Sequence, residues 1–113
     1  MTERILQVNE LLKAELGAIV LREVEMPQDA LVTLTRADAS PNLQQAKIYI
    51  SVMPEEKGVE VLKVLKREVY EIQQTLNKRL NMRPVPRIEW VLDNMTAEAQ
   101  EIEKILDSIK KEK

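Results

Sequence analysis

The chain contains no cysteine, no histidine and no phenylalanine, and it has only two glycines in 113 residues. Without cysteine there is no disulfide framework and no thiolate chemistry. Without histidine as well, the ordinary zinc sites and both common nucleophile–base pairings are excluded. Carboxylates remain as acid–base candidates, but no Asp/Glu pair lies in an apolar setting that would tune one of them to neutral pH. The expectation is therefore a protein that is not an enzyme and takes no metal, cofactor or small-molecule substrate. No apolar run approaches the roughly 20 residues of a membrane span. The opening Met1-Thr2-Glu3-Arg4 enters directly into a helical pattern with no secretory or transit character. A cytoplasmic protein without membrane contact is expected.

Hydrophobic residues make up 44% of the chain and charged residues 32%, the balance of one soluble domain with its own core. Ile5, Val8, Leu11, Leu12, Leu16, Ile19 and Val20 recur at helical spacing, with Thr2 as a cap. Gly17 inside this pattern suggests close packing against a neighbour. Residues 31–39 and 46–53 alternate as two strands, and Ser40-Pro41-Asn42 between them is turn chemistry. Ala46, Ile48, Ile50 and Val52 share one face of the second strand. In the first, Val32 and Leu34 oppose Thr33 and Thr35. Pro54 opens a long amphipathic helix whose first turn Gly58 loosens. Its apolar stripe is Val59, Leu62, Leu65, Val69, Ile72, Leu76 and Leu80. Pro84 and Pro86 end it. Residues 88–92 form a third strand, with Ile88, Trp90 and Leu92 facing one way. Thr96 caps a last helix, about 96–110, carrying Ala99, Ile102, Ile105, Leu106 and Ile109. Helices covering one face of the strands make an α+β domain over residues 1–113, with its core at about 3–93.

The net charge is −2, but it is unevenly distributed. Between Lys63 and Arg87 seven basic residues face two acidic ones, a local +5 that leaves −7 for the rest. Screening keeps distant charges out of a contact, so such a patch can bind phosphate on an acidic protein. On a wheel of about 100° per residue, Lys63, Lys66, Arg67, Tyr70, Gln74, Asn77 and Lys78 share one flank of the long helix. Arg79, Arg83 and Arg87 extend the basic segment. Cations and amides beside one aromatic form a workable surface for phosphates and a stacked base. Composition alone describes the same flank as a solvated helix face. It also describes Tyr49 and Tyr70 as packing residues and Trp90 as core. The 3% aromatic content argues against a sheet that stacks bases, and no GxxG loop is present to clamp an RNA backbone.

Leu31-Val32-Thr33-Leu34-Thr35-Arg36, Ser40-Pro41-Asn42-Leu43 and Ala46-Lys47-Ile48-Tyr49-Ile50-Ser51-Val52 together resemble the hairpin signature of the ribosome-binding factor A family. Arg4, Ile5, Glu15, Leu16, Ile19 and Arg22-Glu23-Val24 resemble its opening helix. Leu80-Asn81-Met82-Arg83-Pro84-Val85-Pro86-Arg87-Ile88 resembles its later signature, and Asp93, Ile102 and Ile105-Leu106 resemble its tail. The resemblance implies a type II KH-like domain: a three-stranded sheet covered on one face by helices, in the order α-β-β-α(kinked)-β plus a C-terminal helix. It also implies a monomeric ribosome assembly factor that binds the precursor of the small ribosomal subunit through ribosomal RNA and assists late rRNA processing. The family kinks its long helix at an Ala-x-Gly, where this chain has Glu68-Val69-Tyr70. Met95 and Ala99 likewise stand where the family's tail carries Ser and Gly.

The expected RNA-binding residues are thus Lys63, Lys66, Arg67, Tyr70, Gln74, Asn77, Lys78, Arg79, Arg83 and Arg87. The alternative is an α+β protein-interaction or regulatory module without RNA binding. A carboxylate-dependent enzyme ranks last. The unbroken stripe through Val69 favours a straight helix, but a rod from residue 55 to 80 would be about 39 Å long and would overhang so small a domain. Packing is expected to win and bend the helix near Glu68–Tyr70, with Tyr70 on its outer, basic side filling the gap.

Overall fold

The computed structural model describes residues 3–93. Its elements are α1 (Glu3–Glu23), β1 (Leu31–Ala39), β2 (Gln45–Met53), a 3₁₀ turn (Glu55–Lys57), α2 (Gly58–Arg67), α3 (Val69–Arg79) and β3 (Arg87–Leu92). The strands lie in the order β1-β2-β3. β1 is antiparallel to β2, and β2 is parallel to β3. A parallel pair needs a crossover, and α2 and α3 supply it. The result is the α+β, KH-like sandwich expected from the sequence. The Thr2 cap and the helix at 96–110 lie outside the described residues.

β2 holds the centre because its alternation presents four small or branched apolar residues to one side. Ala46, Ile48, Ile50 and Val52 are all buried. The turn before it uses the expected chemistry. Asn42 Oδ1 accepts from the Ser40 hydroxyl (2.6 Å) and from the Gln44 amide (3.1 Å). β1 departs from strict alternation. Its register passes from Leu34↔Ile50 to Arg36↔Tyr49, which leaves Thr35 in a bulge. The apolar pairs Val32/Leu34 and Ala37/Ala39 differ in parity, and one extra residue lets both turn inward. Thr33 and Thr35 therefore do not continue one regular face. The Thr35 hydroxyl lies 3.2 Å from the Tyr49 carbonyl, to which it donates.

α1 buries Ile5, Val8, Leu12, Leu16, Ile19 and Val20, whereas Leu11 is exposed. The close approach expected at Gly17 is found at Gly58 instead. A Cβ built at Gly17 meets nothing within 4 Å. This residue borders an open groove that it shares with residues 31–34 of β1. A Cβ at Gly58 would meet Leu92 Cδ2 at 3.0 Å, so Gly58 is the position of close approach. This contact sets the rotation of α2. Gly58, Val61 and Leu65 turn inward, Leu62 and Val69 are half-buried, and Val59 is 61% exposed. The buried stripe is therefore turned from Val59/Leu62 toward Val61, and it continues through Ile72, Leu76 and Leu80. Trp90 is core, as expected, and Leu92 is half-buried.

Candidate nucleic-acid interface

The long helix breaks at Glu68, where φ is −92° and ψ is 3°. Neither glycine nor proline is needed. Moving one ψ from the helical value of about −42° into the bridge region turns the chain. The ladder also survives the break. The Glu68 amide donates to the Val64 carbonyl and the Glu68 carbonyl accepts from the Ile72 amide, each at 3.0 Å. The bend lets two short helices pack where one rod could not: α2 lies on β2 and β3, and α3 lies on α1 and β3.

Tyr70 stands just beyond the bend. It is 68% exposed, so it does not fill the gap there, and its ring is open to solvent. Lys63, Lys66, Arg67, Gln74 and Lys78 are also exposed, and Asn77 is half-buried. Val59 lies on the same flank one turn before Lys63. The flank thus combines cations, amides and two uncovered apolar groups, a mixture that solvation alone does not call for. Arg67 Nε lies 3.6 Å from Glu68 Oε1, an exposed pair of small energetic value. Arg79 is different. It sits on the opposite side of α3, paired with Glu15 of α1, and is not brought to the flank. Its charge is compensated within the fold.

Past α3, Arg83 lines three shallow depressions, one with Asn77, Pro84 and Val85, one with Leu80, Asn81 and Met82, and one with Arg4, Ile5, Pro41, Asn42, Leu43, Met82 and Pro84. Arg4 is a cation that the charge count along residues 63–87 missed, because it comes from α1. Arg87 opens β3 beside Lys47, with Asp38 and Glu89 close by, so its surroundings are mixed in sign. The outer sheet face carries Arg36 with its guanidinium 3.9 Å from the centroid of the Tyr49 ring. Tyr49 thus packs against its cross-strand neighbour Arg36, and the residue it holds is a cation.

Gln73 positions the interface without facing it. Its Oε1 accepts from the Ile88 amide (2.9 Å), and its Nε2 donates to the Pro86 carbonyl and to Asn77 Oδ1 (3.1 Å each). One side chain therefore ties α3 to the start of β3 and orients Asn77. A polar residue at the margin of an apolar stripe was the only signal in the sequence. Gln73→Leu is expected to leave Ile88 N–H and Pro86 C=O without partners and to cost about 1–3 kcal/mol in a urea titration. Among the described residues no group of acidic side chains is placed to hold a metal ion, and no helix is long and apolar enough to cross a membrane.

The ribosome-binding factor A family profile matches residues 4–106. The chain belongs to the ribosome-binding factor A family. Ribosome-binding factor A of Bdellovibrio bacteriovorus is 32% identical over 111 residues, covering 97% of this chain and 83% of the relative. The crystal structure of ribosome-binding factor A from Thermus thermophilus superposes with a TM-score of 0.64 at 25% identity, covering 78% of this chain and 94% of that one. A homology model of the Thermus thermophilus factor, fitted into a cryo-EM map of its complex with 30S, gives 0.63 at 26% identity and covers 74% and 88%. In this chain the bend falls at Glu68, the first residue of the Glu68-Val69-Tyr70 segment.

Proposed function

We propose that this chain binds the immature small ribosomal subunit through its ribosomal RNA, acting as a monomeric, single-domain, non-catalytic assembly factor of the cytoplasm that assists late rRNA maturation. The carrying observation is the family match across residues 4–106, whose Thermus thermophilus relative was fitted into a 30S complex. The flank of α2 and α3 supports the reading. Lys63, Lys66 and Lys78 can neutralise phosphates, Gln74 and Asn77 can hydrogen-bond them, and Tyr70 offers a face to a base. Arg83 extends this surface and Arg87 borders it. Arg79 contributes least because Glu15 already holds it.

Sucrose-gradient fractionation of a lysate containing the tagged full-length chain tests the proposal. At about 50 mM salt the chain should travel with free or precursor small subunits. At several hundred millimolar it should return to the top, because each phosphate contact steepens the salt dependence. A chain that stays at the top at low salt, with precursor subunits present, overturns the reading. Association that ignores salt favours the protein-interaction module.

A further inference from the structure

Arg4 and Arg83 are far apart in the chain, yet both line one depression of about 300 Å³. Arg4 comes from the first turn of α1, Asn42 and Leu43 from the β1–β2 turn, and Met82 to Pro84 from the link between α3 and β3. Both arginines are exposed, and no acidic side chain lines the depression. Among the described residues the ion pairs are Lys57–Glu60, Arg67–Glu68 and Arg79–Glu15, and neither arginine takes part. Two like charges that share a concavity without a counter-charge repel each other. Arg4 is also misplaced for its helix, because the positive end of the helix dipole lies at the N-terminus and disfavours a cation there. Fold stability therefore accounts for neither position. An anion seated between the two guanidinium groups reverses both unfavourable terms.

The surroundings are suited to holding one. Arg83 Nη1 donates to the Met82 carbonyl (2.8 Å), which anchors one corner of the guanidinium and leaves its other donors for a ligand. Asn42 Oδ1 accepts from the Ser40 hydroxyl and the Gln44 amide. That oxygen is committed to the turn, and the side-chain NH₂ remains as a donor. Leu43 is held at φ 58°, where a residue with a side chain is strained, and its packing against the core keeps it there. The turn is thus fixed beside the depression. Ile5, Leu43, Met82 and the two prolines supply apolar surface among these donors. Two cations and an amide around apolar surface match a nucleotide better than a bare inorganic anion. The guanidinium forks take the phosphate, and the apolar surface takes the sugar and base. Arg83 also borders Asn77, so the depression continues the α2–α3 flank.

We infer that Arg4 and Arg83 clamp one phosphodiester of the bound RNA, with Asn42 as a third donor. The inference rests on the RNA-binding reading given above. It extends the contact from the helix flank to α1 and the hairpin turn.

Filter binding of the full-length chain to purified small subunits over a salt series tests the clamp. Arg4→Gln should lower affinity about tenfold at low salt and flatten the slope of log K against log salt by about 0.7 to 0.9, the share of one phosphate. Arg4→Lys should recover only part of that loss, because an ammonium keeps the charge and lacks the planar fork. With Arg83→Gln already present, Arg4→Gln should cost less than about threefold, whereas beside Lys63→Gln it should cost its full amount. Arg22→Gln, at the other end of α1, should bind as the wild type does, and urea midpoints should be unchanged throughout. Wild-type binding that Arg4→Gln leaves undiminished overturns the clamp while the RNA reading stands. Full recovery by Arg4→Lys, or additive losses from Arg4→Gln and Arg83→Gln, reduces the pair to general charge and overturns it too. So does a binding loss that tracks a lowered urea midpoint. If the wild-type chain itself does not bind, the RNA reading fails and the clamp falls with it.

Discussion

Reversing Lys63, Arg67, Lys78 and Arg83 together to glutamate is expected to weaken association with the free small subunit on the order of 100-fold at low salt, and to flatten the dependence of log K on log salt. Each residue neutralising a phosphate releases counterions, and four reversals replace attraction with repulsion at each point. All four are exposed, so each change should cost within about 0.5 kcal/mol of stability. Reversing Lys110 and Lys111 should matter less. Equal losses from both sets would mean that net charge, not the α2–α3 flank, drives binding. Tyr70→Ala is expected to lower affinity about tenfold while sparing stability, since a stacked base contributes about 1–3 kcal/mol. Lys78→Gln should cost more affinity than Arg79→Gln, because Arg79 is committed to Glu15. Filter binding against purified subunits over a salt series reads all of these.

The largest expected stability effect lies beneath the bend. Leu65 is fully buried on α2, and Leu65→Ala should remove about 3 kcal/mol through lost burial and a residual cavity. That is a large share of the 5–15 kcal/mol typical of a domain. Val61→Ala, also fully buried, should cost about 2 kcal/mol, and Val59→Ala less than about 0.5 kcal/mol. Trp90 is the single tryptophan and is 3% exposed, so its fluorescence reports unfolding in urea. If Val59→Ala proves as costly as Val61→Ala, the rotation assigned to α2 is wrong.

These two sets of variants also separate what was legible in the residues from what was not. The basic flank could be drawn on a helical wheel because Lys63, Lys66, Tyr70, Gln74, Asn77 and Lys78 belong to one local period. Arg79 illustrates the limit of a charge count. It lies in the same basic run, yet its partner Glu15 is 64 residues away, and no local pattern pairs them. Arg4 approaches Arg83 for the same reason, through a fold that joins distant segments.

By itself the sequence determined the element types and their order. Strict alternation in β2, the helical period of α1 and the turn chemistry of Ser40-Pro41-Asn42 are short-range signals that each depend on a few neighbouring residues. Sequence also excluded thiol, imidazole and GxxG chemistry, because residues that are absent cannot be supplied by folding. Only the tertiary structure decided the rest. The Thr35 bulge exists because two apolar pairs of opposite parity must both reach one core. α2 is rotated toward Val61 because Gly58 seats against Leu92, a contact between residues 34 apart. The helix bends at Glu68 with no bend-forming residue, because one small shift in ψ costs less than leaving Leu65 or Ile72 off the sheet. Gly17 lies open because α1 and β1 leave a groove between them at that point. In each case the deciding term is burial shared between segments far apart in the chain, and a local pattern holds no information about it.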